Sequence, residues 1–268
     1  MAQTEHSLNI LETIIASKRS EVKRRKGEKS FRELESAASF SRKTISLKQS
    51  ILDPLKTGII AEFKRKSPSK GVINASADVV AVTKGYSTKG ASALSILTDE
   101  AFFGGSTEDL EKARVNEIPI LRKDFIIDEY QVVEAKSMGA DAVLLIAACL
   151  SVTEVERLAA FAKNLGLEVL LELHAEEELR HVCEDTELVG INNRDLKSFT
   201  VDLDRSLAMS KKIPANKIKV AESGIHSALQ IKLFRENGYN GFLIGEQFMK
   251  QSDPVKAFGE FVNSIHVH

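Results

Sequence analysis

The sequence predicts an α/β fold, a (β/α)8 TIM barrel with an N-terminal helical extension, and three observations carry that prediction. First, eight short apolar runs recur from Ile59 onward: GIIAEF (58–63), ALSIL (93–97), IPILR (118–122), AVLLI (142–146), EVLLEL (168–173), LVGIN (188–192), IKVAE (218–222) and GFLIG (241–245). Runs of this length bounded by turn residues read as buried strands. Second, longer amphipathic stretches separate them, and strand–helix alternation implies parallel strands with right-handed crossovers. Third, the chain has 268 residues, and about 250 suffice for eight such units closed into one barrel. One domain is therefore expected over residues 1–268, with residues 1–57 as the extension.

The extension opens with Leu8, Ile10, Leu11, Ile14 and Ile15 at helical spacing, and a second helical pattern runs from Phe31 to Phe40. Such a segment is suited to cap a barrel or cover a substrate. Its basic run, Lys18, Arg19, Lys23, Arg24, Arg25 and Lys26, is interspersed with Glu12, Glu21 and Glu28. That pattern reads as a solvated helix face rather than a nucleic-acid contact. Within the repeat, 128–138 mixes apolar and polar faces, whereas 151–164 puts Val152, Val155, Leu158, Ala159 and Ala162 on one stripe. Ser151 followed by Glu154 is a capping-box pattern. Gly139 and Gly166 suit helix C-termini.

Composition narrows the function classes. With 43% apolar and 28% charged residues the chain reads as soluble and globular, and a net charge of -1 argues against a general polyanion-binding surface. No apolar stretch approaches the roughly 20 residues of a membrane span, and the first 30 residues lack the apolar segment of a secretory signal. The expectations are a cytoplasmic protein, monomeric or weakly dimeric, with no nucleic-acid or membrane partner. Cys149 and Cys183 lack metal-type spacing and are expected to be reduced, packed thiols. His174 and His181 fall on or near the helix after the fifth strand, and His226 opens a helix; no metal site is expected from them. No dinucleotide fingerprint, P-loop or HExxH motif is present.

The chemistry lies at the strand ends. IIAEFKRKS ends in Glu62, Lys64, Lys66 and Ser67; Glu62 and Lys64, two apart on a strand, point to the same side. An unpaired charge on a core face costs several kcal/mol, so an opposed pair belongs at a pocket mouth. Later runs end in Lys123, in Glu172, in Asn192 and Arg194, and in Glu222 and Ser223. Active groups of such barrels occupy the C-terminal strand ends, so these residues imply one shared pocket. Gly224 and Gly245, after the last two strands, let backbone N–H groups approach an anion, as in a phosphate cradle. Glu246 is then expected to point elsewhere. Phe102, Phe103, Phe125 and Leu97 can wall the space for a flat ring. Lys64, Lys123, Glu62 and Glu172 together can move several protons, which suits a multistep condensation or dehydration.

In order and spacing, AEFKRKSPSKG, SILTDEAFFGGS, LRKDFIIDEYQ, GADAVLLIAA, GINNRDL, VAESGI and FLIGEQFM resemble the motifs of the indole-3-glycerol phosphate synthase family over nearly the whole chain. The resemblance implies a (β/α)8 barrel with an N-terminal helical extension. It implies a step of tryptophan biosynthesis that turns 1-(2-carboxyphenylamino)-1-deoxyribulose 5-phosphate into indole-3-glycerol phosphate, CO2 and water without a cofactor. It implies Lys123 as the acid for the ketone oxygen, Lys64 as partner of the anthranilate carboxylate, and Glu172 and Glu62 as proton-handling carboxylates. Asn192 and Glu222 would orient the substrate and the lysines, and Ser67, Arg194, Ser223, Gly224 and Gly245 would contact substrate or phosphate. Leu121 stands where the family often has a smaller residue, and is expected to trim the pocket. Two other readings compete: an aldolase with Lys123 as Schiff-base nucleophile, and a nucleic-acid binder using the basic helix.

Overall fold

The computed structural model describes residues 9–195 and 200–267; Leu8, Leu196 and His268 lie outside them. Among the described residues the extension carries three α-helices, α1 (Ile10–Glu28), α2 (Phe31–Glu35) and α3 (Leu47–Leu52), and the pattern expected to run from Phe31 to Phe40 divides into α2 and a 3-10 turn, Ala38–Ser41. Asn9 with Glu12, and Ser30 with Glu33, close reciprocal capping boxes at the starts of α1 and α2.

The barrel strands are β1 (Ile59–Phe63), β2 (Ala93–Leu97), β3 (Ile120–Lys123), β4 (Ala142–Ile146), β5 (Glu168–Leu173), β6 (Leu188–Asn192), β7 (Ile218–Glu222) and β8 (Gly241–Ile244). Each pairs in parallel with the next and β8 returns to β1, so the sheet closes. The helices between and after them are α4 (Val79–Thr88), α5 (Thr107–Ala113), α6 (Glu129–Ser137), α7 (Val152–Asn164), α8 (Leu203–Ser210), α9 (Ala228–Glu236), α10 (Glu246–Met249) and α11 (Pro254–Val267). Ser151 and Glu154 form the expected box before α7, and Gly139 and Gly166 take positive φ just past α6 and α7.

Two local expectations need correction. The fifth crossover carries a 3-10 turn, Glu176–His181, where an α-helix was expected. The third strand runs on to Lys123, because Arg122 points out of the barrel and is buried there against Glu134 (2.8 Å) and Asp124 (3.3 Å).

Strand alternation divides the core in two. Ile60, Ala93, Leu121, Ala142, Leu144, Leu170, Leu188, Val220 and Leu243 fill the barrel interior. Their neighbours along each strand, such as Ile59, Ala61, Leu94 and Val143, pack outward under the helices. Leu121 is therefore part of the interior filling one layer below Lys123. It is not a wall of the cavity described below, so it does not trim that space.

The extension closes both ends of this interior. Leu47 and Ile51 of α3 plug the N-terminal mouth, where Ser46 Oγ and the Lys48 N–H donate to Glu168 (2.5 and 2.8 Å). Ile14 and Ile15 of α1 lie over the opposite mouth. What holds α1 there corrects the reading of its basic run. Lys18 is 1% exposed, with Nζ 2.7 Å from Glu21, 2.8 Å from Asp99 and 2.9 Å from Asp124. Burial opposes its charge, but Asp124 and Asp99 outweigh that and push its pKa up. Arg25 reaches Glu134 and Lys26 reaches Asp128, both at 2.7 Å. Arg19, Lys23 and Arg24 do face solvent. Among the described residues no helix is long and apolar enough to cross a membrane.

Candidate active site

A cavity of about 170 Å³ opens at the C-terminal ends of the strands, roofed by Ile10, Leu11 and Ile14 of α1. Strand parity aims the polar groups into it. Glu62 sits two residues beyond the interior-facing Ile60 on β1, and Lys123 two beyond Leu121 on β3. Glu172 follows Leu170 on β5, and Glu222 follows Val220 on β7. Asn192 ends β6.

Lys64 Nζ lies 2.9 Å from Glu62 Oε1, and Lys123 Nζ lies 3.5 Å from Glu62 Oε2 and 3.9 Å from Glu172 Oε2. Ser95 Oγ also donates to Glu62 Oε2 (3.1 Å). Asn192 Nδ2 donates to Glu172 Oε1 (3.2 Å), and its own Oδ1 accepts the Arg194 N–H (3.0 Å). Glu222 needs a gap on β6: a Cβ at Gly190 would lie 2.1 Å from Glu222 Oε1, so glycine makes the space.

These contacts set the charge states. Burial works against ionising Glu62, but Lys64 and Lys123 overcome it and bring its pKa to about 2. Burial equally opposes Lys123, yet Glu62, Glu172 and Glu222 hold its proton and raise its pKa. Glu172 is held well below the usual carboxylate range despite burial, chiefly by Lys123 and also by His174. Glu222 goes the other way: burial and the neighbouring Glu172 charge push it well up. The two carboxyls of this pair are thus pushed in opposite directions.

The remaining predicted positions line the same cavity. Ser67 is buried with Oγ 3.4 Å from Ser69 Oγ. Arg194 donates to Ser69 Oγ (2.8 Å) and Glu246 Oε2 (3.2 Å); Glu246 was expected to point elsewhere, but it lines the cavity, its carboxylate held by Arg194 and Lys70. Ser223 (φ 66°) and Gly224 (φ 69°) form two successive left-handed residues, which turn the chain sharply at the cavity edge. Gly245 crosses close over Glu62, since a Cβ there would lie 2.8 Å from Glu62 Cβ. Phe103 and Phe125, with ring centroids 6.0 Å apart, and Leu97 supply an apolar wall. Phe102 packs on the interior cluster instead and does not line the cavity.

His174 carries a contact that the sequence reading missed: its Nε2 is 2.9 Å from Glu172 Oε1. Two residues past Glu172 on the same face, it was within reach of the parity rule. Among the described residues no group of three or more His, Cys, Asp or Glu side chains is arranged to hold a metal ion.

The family model for indole-3-glycerol phosphate synthase matches residues 11–261. An indole-3-glycerol phosphate synthase of Bacteroides thetaiotaomicron is 46% identical over 96% of this chain and 99% of its own. Its counterpart from Polaromonas sp. is 42% identical over 94% and 97%. Solved structures at low identity share the fold. The 3-hexulose-6-phosphate synthase of Salmonella typhimurium superposes with a TM-score of 0.60 at 13% identity, covering 78% of this chain and 99% of that one. A tryptophan synthase structure from Pyrococcus furiosus gives 0.58 at 13%, covering 80% and 100%. The chain belongs to the indole-3-glycerol phosphate synthase family, and is a carboxy-lyase of tryptophan biosynthesis.

Proposed function

We propose that this cavity holds 1-(2-carboxyphenylamino)-1-deoxyribulose 5-phosphate with its phosphate at Ser223, Gly224 and Gly245 and its ketone beside Lys123. The reaction closes the five-membered ring, expels CO2 and water, and yields indole-3-glycerol phosphate. Leu97, Phe103 and Phe125 take the aromatic ring. Lys64 meets the substrate carboxylate, and Ser67 and Arg194 line its path to the phosphate end. Cations and N–H donors at both ends of the pocket suit a substrate with two anionic groups.

The chemistry follows from the charge states. As the ring carbon attacks the ketone carbon, Lys123 protonates the developing alkoxide; an alkoxide is a far stronger base than an amine, so even a firmly held proton transfers. The C–C pair released with CO2 neutralises the iminium nitrogen. Lys64 then protonates the hydroxyl so that it leaves as water. Glu172, the ionised carboxylate, removes the ring C–H proton and restores aromaticity. Glu62, fixed as an anion, orients both lysines. Asn192 and Glu222 orient Glu172.

The observation that carries this reading is the Lys123 ammonium set between Glu62 and Glu172 inside one cavity, with Gly224 and Gly245 along the same wall. A Schiff-base lysine needs a lowered pKa, and Lys123 is raised, which disfavours the aldolase reading. Lys18, Arg25 and Lys26 are engaged by acidic partners within the fold, which disfavours the nucleic-acid reading. We further infer action in the cytoplasm, where a phosphorylated substrate is retained, as a monomer or weak homodimer: each barrel carries the whole set of groups named here.

Two substitutions test the assignment. Glu172→Gln keeps the shape and removes the base, so kcat, followed by the fluorescence of the indole product, should fall about 10²- to 10⁴-fold. Activity within threefold of the parent would overturn the role. Gly224→Ala imposes a left-handed alanine, costing about 1–2 kcal/mol, with its Cβ 2.4 Å from the Val201 side chain. KM should rise roughly tenfold by that strain with kcat little changed; an unaltered KM would remove the phosphate from this turn.

A further inference from the structure

Backbone N–H groups hold a phosphate only when their peptide planes face it, and one residue outside the cavity sets two of those planes. Ser223 and Gly224 line the cavity, whereas Asn193 is fully buried and is not among its walls. Strand parity explains the difference. Asn192 ends β6 on the cavity side, so Asn193, the next residue, points outward. From there it makes two bonds to the start of the left-handed turn. Its backbone N–H donates to the Glu222 carbonyl (2.8 Å), one step past the Asn192–Glu222 pair of the ladder. Its side-chain Nδ2 donates to the Ser223 carbonyl (2.7 Å). That partner fixes which way the amide lies, because a carbonyl can only accept. Asn193 is itself held from behind, since its own carbonyl accepts the Asp202 N–H (2.8 Å).

In a planar trans peptide the C=O and the N–H point in opposite directions, and among the described residues no peptide bond is cis. With the Glu222 carbonyl drawn toward β6, the Ser223 N–H turns the other way, toward β8, which Gly245 follows. With the Ser223 carbonyl drawn toward Asn193, the Gly224 N–H turns away from Asn193, to the side where Gly224 borders the cavity. Ser223 needs such a hold, because a left-handed backbone at a non-glycine residue persists only where its surroundings over-determine it.

We propose that Asn193 is a positioning residue for the substrate phosphate: its amide holds the Ser223 carbonyl so that the Gly224 N–H faces the anion, and the site thereby selects a phosphorylated end over a plain hydroxyl. The proposal rests on the phosphate placement at Ser223, Gly224 and Gly245 given above. Amide, peptide and phosphate form one chain of donors and acceptors. An anion on the Gly224 N–H polarises the peptide and makes its carbonyl a better acceptor for Asn193, so the two ends reinforce one another. Lys123, Glu62, Glu172 and Asn192 are held by contacts with each other, so losing the Asn193 amide leaves them in place. Asn193 touches no substrate atom.

The test uses the full chain with Asn193→Leu, which keeps the volume, and Asn193→Ser, a smaller change for the case that leucine does not fold. Neither puts a donor at the Ser223 carbonyl, the serine hydroxyl being too short to reach it. Indole-3-glycerol phosphate and its dephosphorylated form, indole-3-glycerol, are titrated by fluorescence. Affinity for the phosphorylated ligand should fall roughly ten- to a hundredfold, as for the loss of one hydrogen bond to a charged group, while that for indole-3-glycerol stays within about twofold. KM should rise in parallel, with kcat within about threefold of the parent. Equal losses for both ligands, a loss confined to kcat, or parental affinities would each overturn the proposal. A second arm needs no variant: inorganic phosphate is titrated into the isotope-labelled parent and followed by nuclear magnetic resonance. The Gly224 amide proton and the Asn193 side-chain amide protons should move downfield together. If Gly224 moves and Asn193 stays, only the positioning role fails; if neither moves, the phosphate placement itself fails.

Discussion

Lys123→Ala is expected to abolish measurable turnover while leaving the barrel folded. Two losses combine. The general acid for the ketone oxygen disappears, an effect of about 10²–10⁴ in rate. The cation that keeps Glu172 ionised disappears too, so Glu172 and Glu222 come to share a proton and the base for the last step weakens. A kcat at least about 10³-fold lower follows. Lys123→Arg isolates the acid role, because arginine keeps the charge between Glu62 and Glu172 but does not give up a proton in this range. Arginine should therefore restore thermal stability and leave activity lost. Product fluorescence gives the rate, and circular dichroism melting shows whether the fold survives. Either variant turning over within tenfold of the parent would remove Lys123 as the acid.

The largest effect on stability is expected from Lys18→Met. The methionine fills similar volume but strands the Asp99 and Asp124 carboxylates, 1% and 0% exposed at the side chain, beside an apolar group. Breaking a buried ion pair from one side typically costs about 3–5 kcal/mol, equivalent here to a fall in Tm of roughly 10 °C. Asp99 retains N–H donors from Phe102 and Phe103, and Asp124 retains Arg122 and Thr98, which keeps the loss below total unfolding. Adding Asp124→Asn should recover part of the stability by removing one stranded charge. KM should also rise, because Lys18 anchors the helix whose Ile10, Leu11 and Ile14 cover the substrate space. Arg24→Ala is the contrast: its pair with Glu28 is more than half exposed on both sides, and such pairs contribute about 0–1 kcal/mol. Equal melting of the Lys18 and Arg24 variants would show that the buried cluster does not hold α1.

The barrel was legible because strands buried on both faces read as unbroken apolar runs. GIIAEF and EVLLEL announced themselves through an apolar stretch that stops at a charge, and parity then aimed Glu62, Lys64 and Glu172 to one side. What the sequence hid were charges that find partners far along the chain. Lys18 looks like one more solvent-facing base until Asp99 and Asp124 are placed at the tops of β2 and β3. Arg122 looks like a strand terminator until α6 brings Glu134 to it. His174 was obscured differently: the acidic stretch after it reads as a helix, whereas the strand direction persists long enough to carry the imidazole back to Glu172. Leu121 shows the same parity rule from the other side, since two residues separate an interior filler from a group that faces the cavity.

The placement of α1 and α3 over opposite mouths bears on how the molecule is made. Both leave the ribosome ahead of everything they dock against: Ser46 waits for Glu168, 122 residues later, and Arg25 for Glu134, 109 residues later. Part of what these two helices dock against is thus made only after more than half of the 268 residues have been translated.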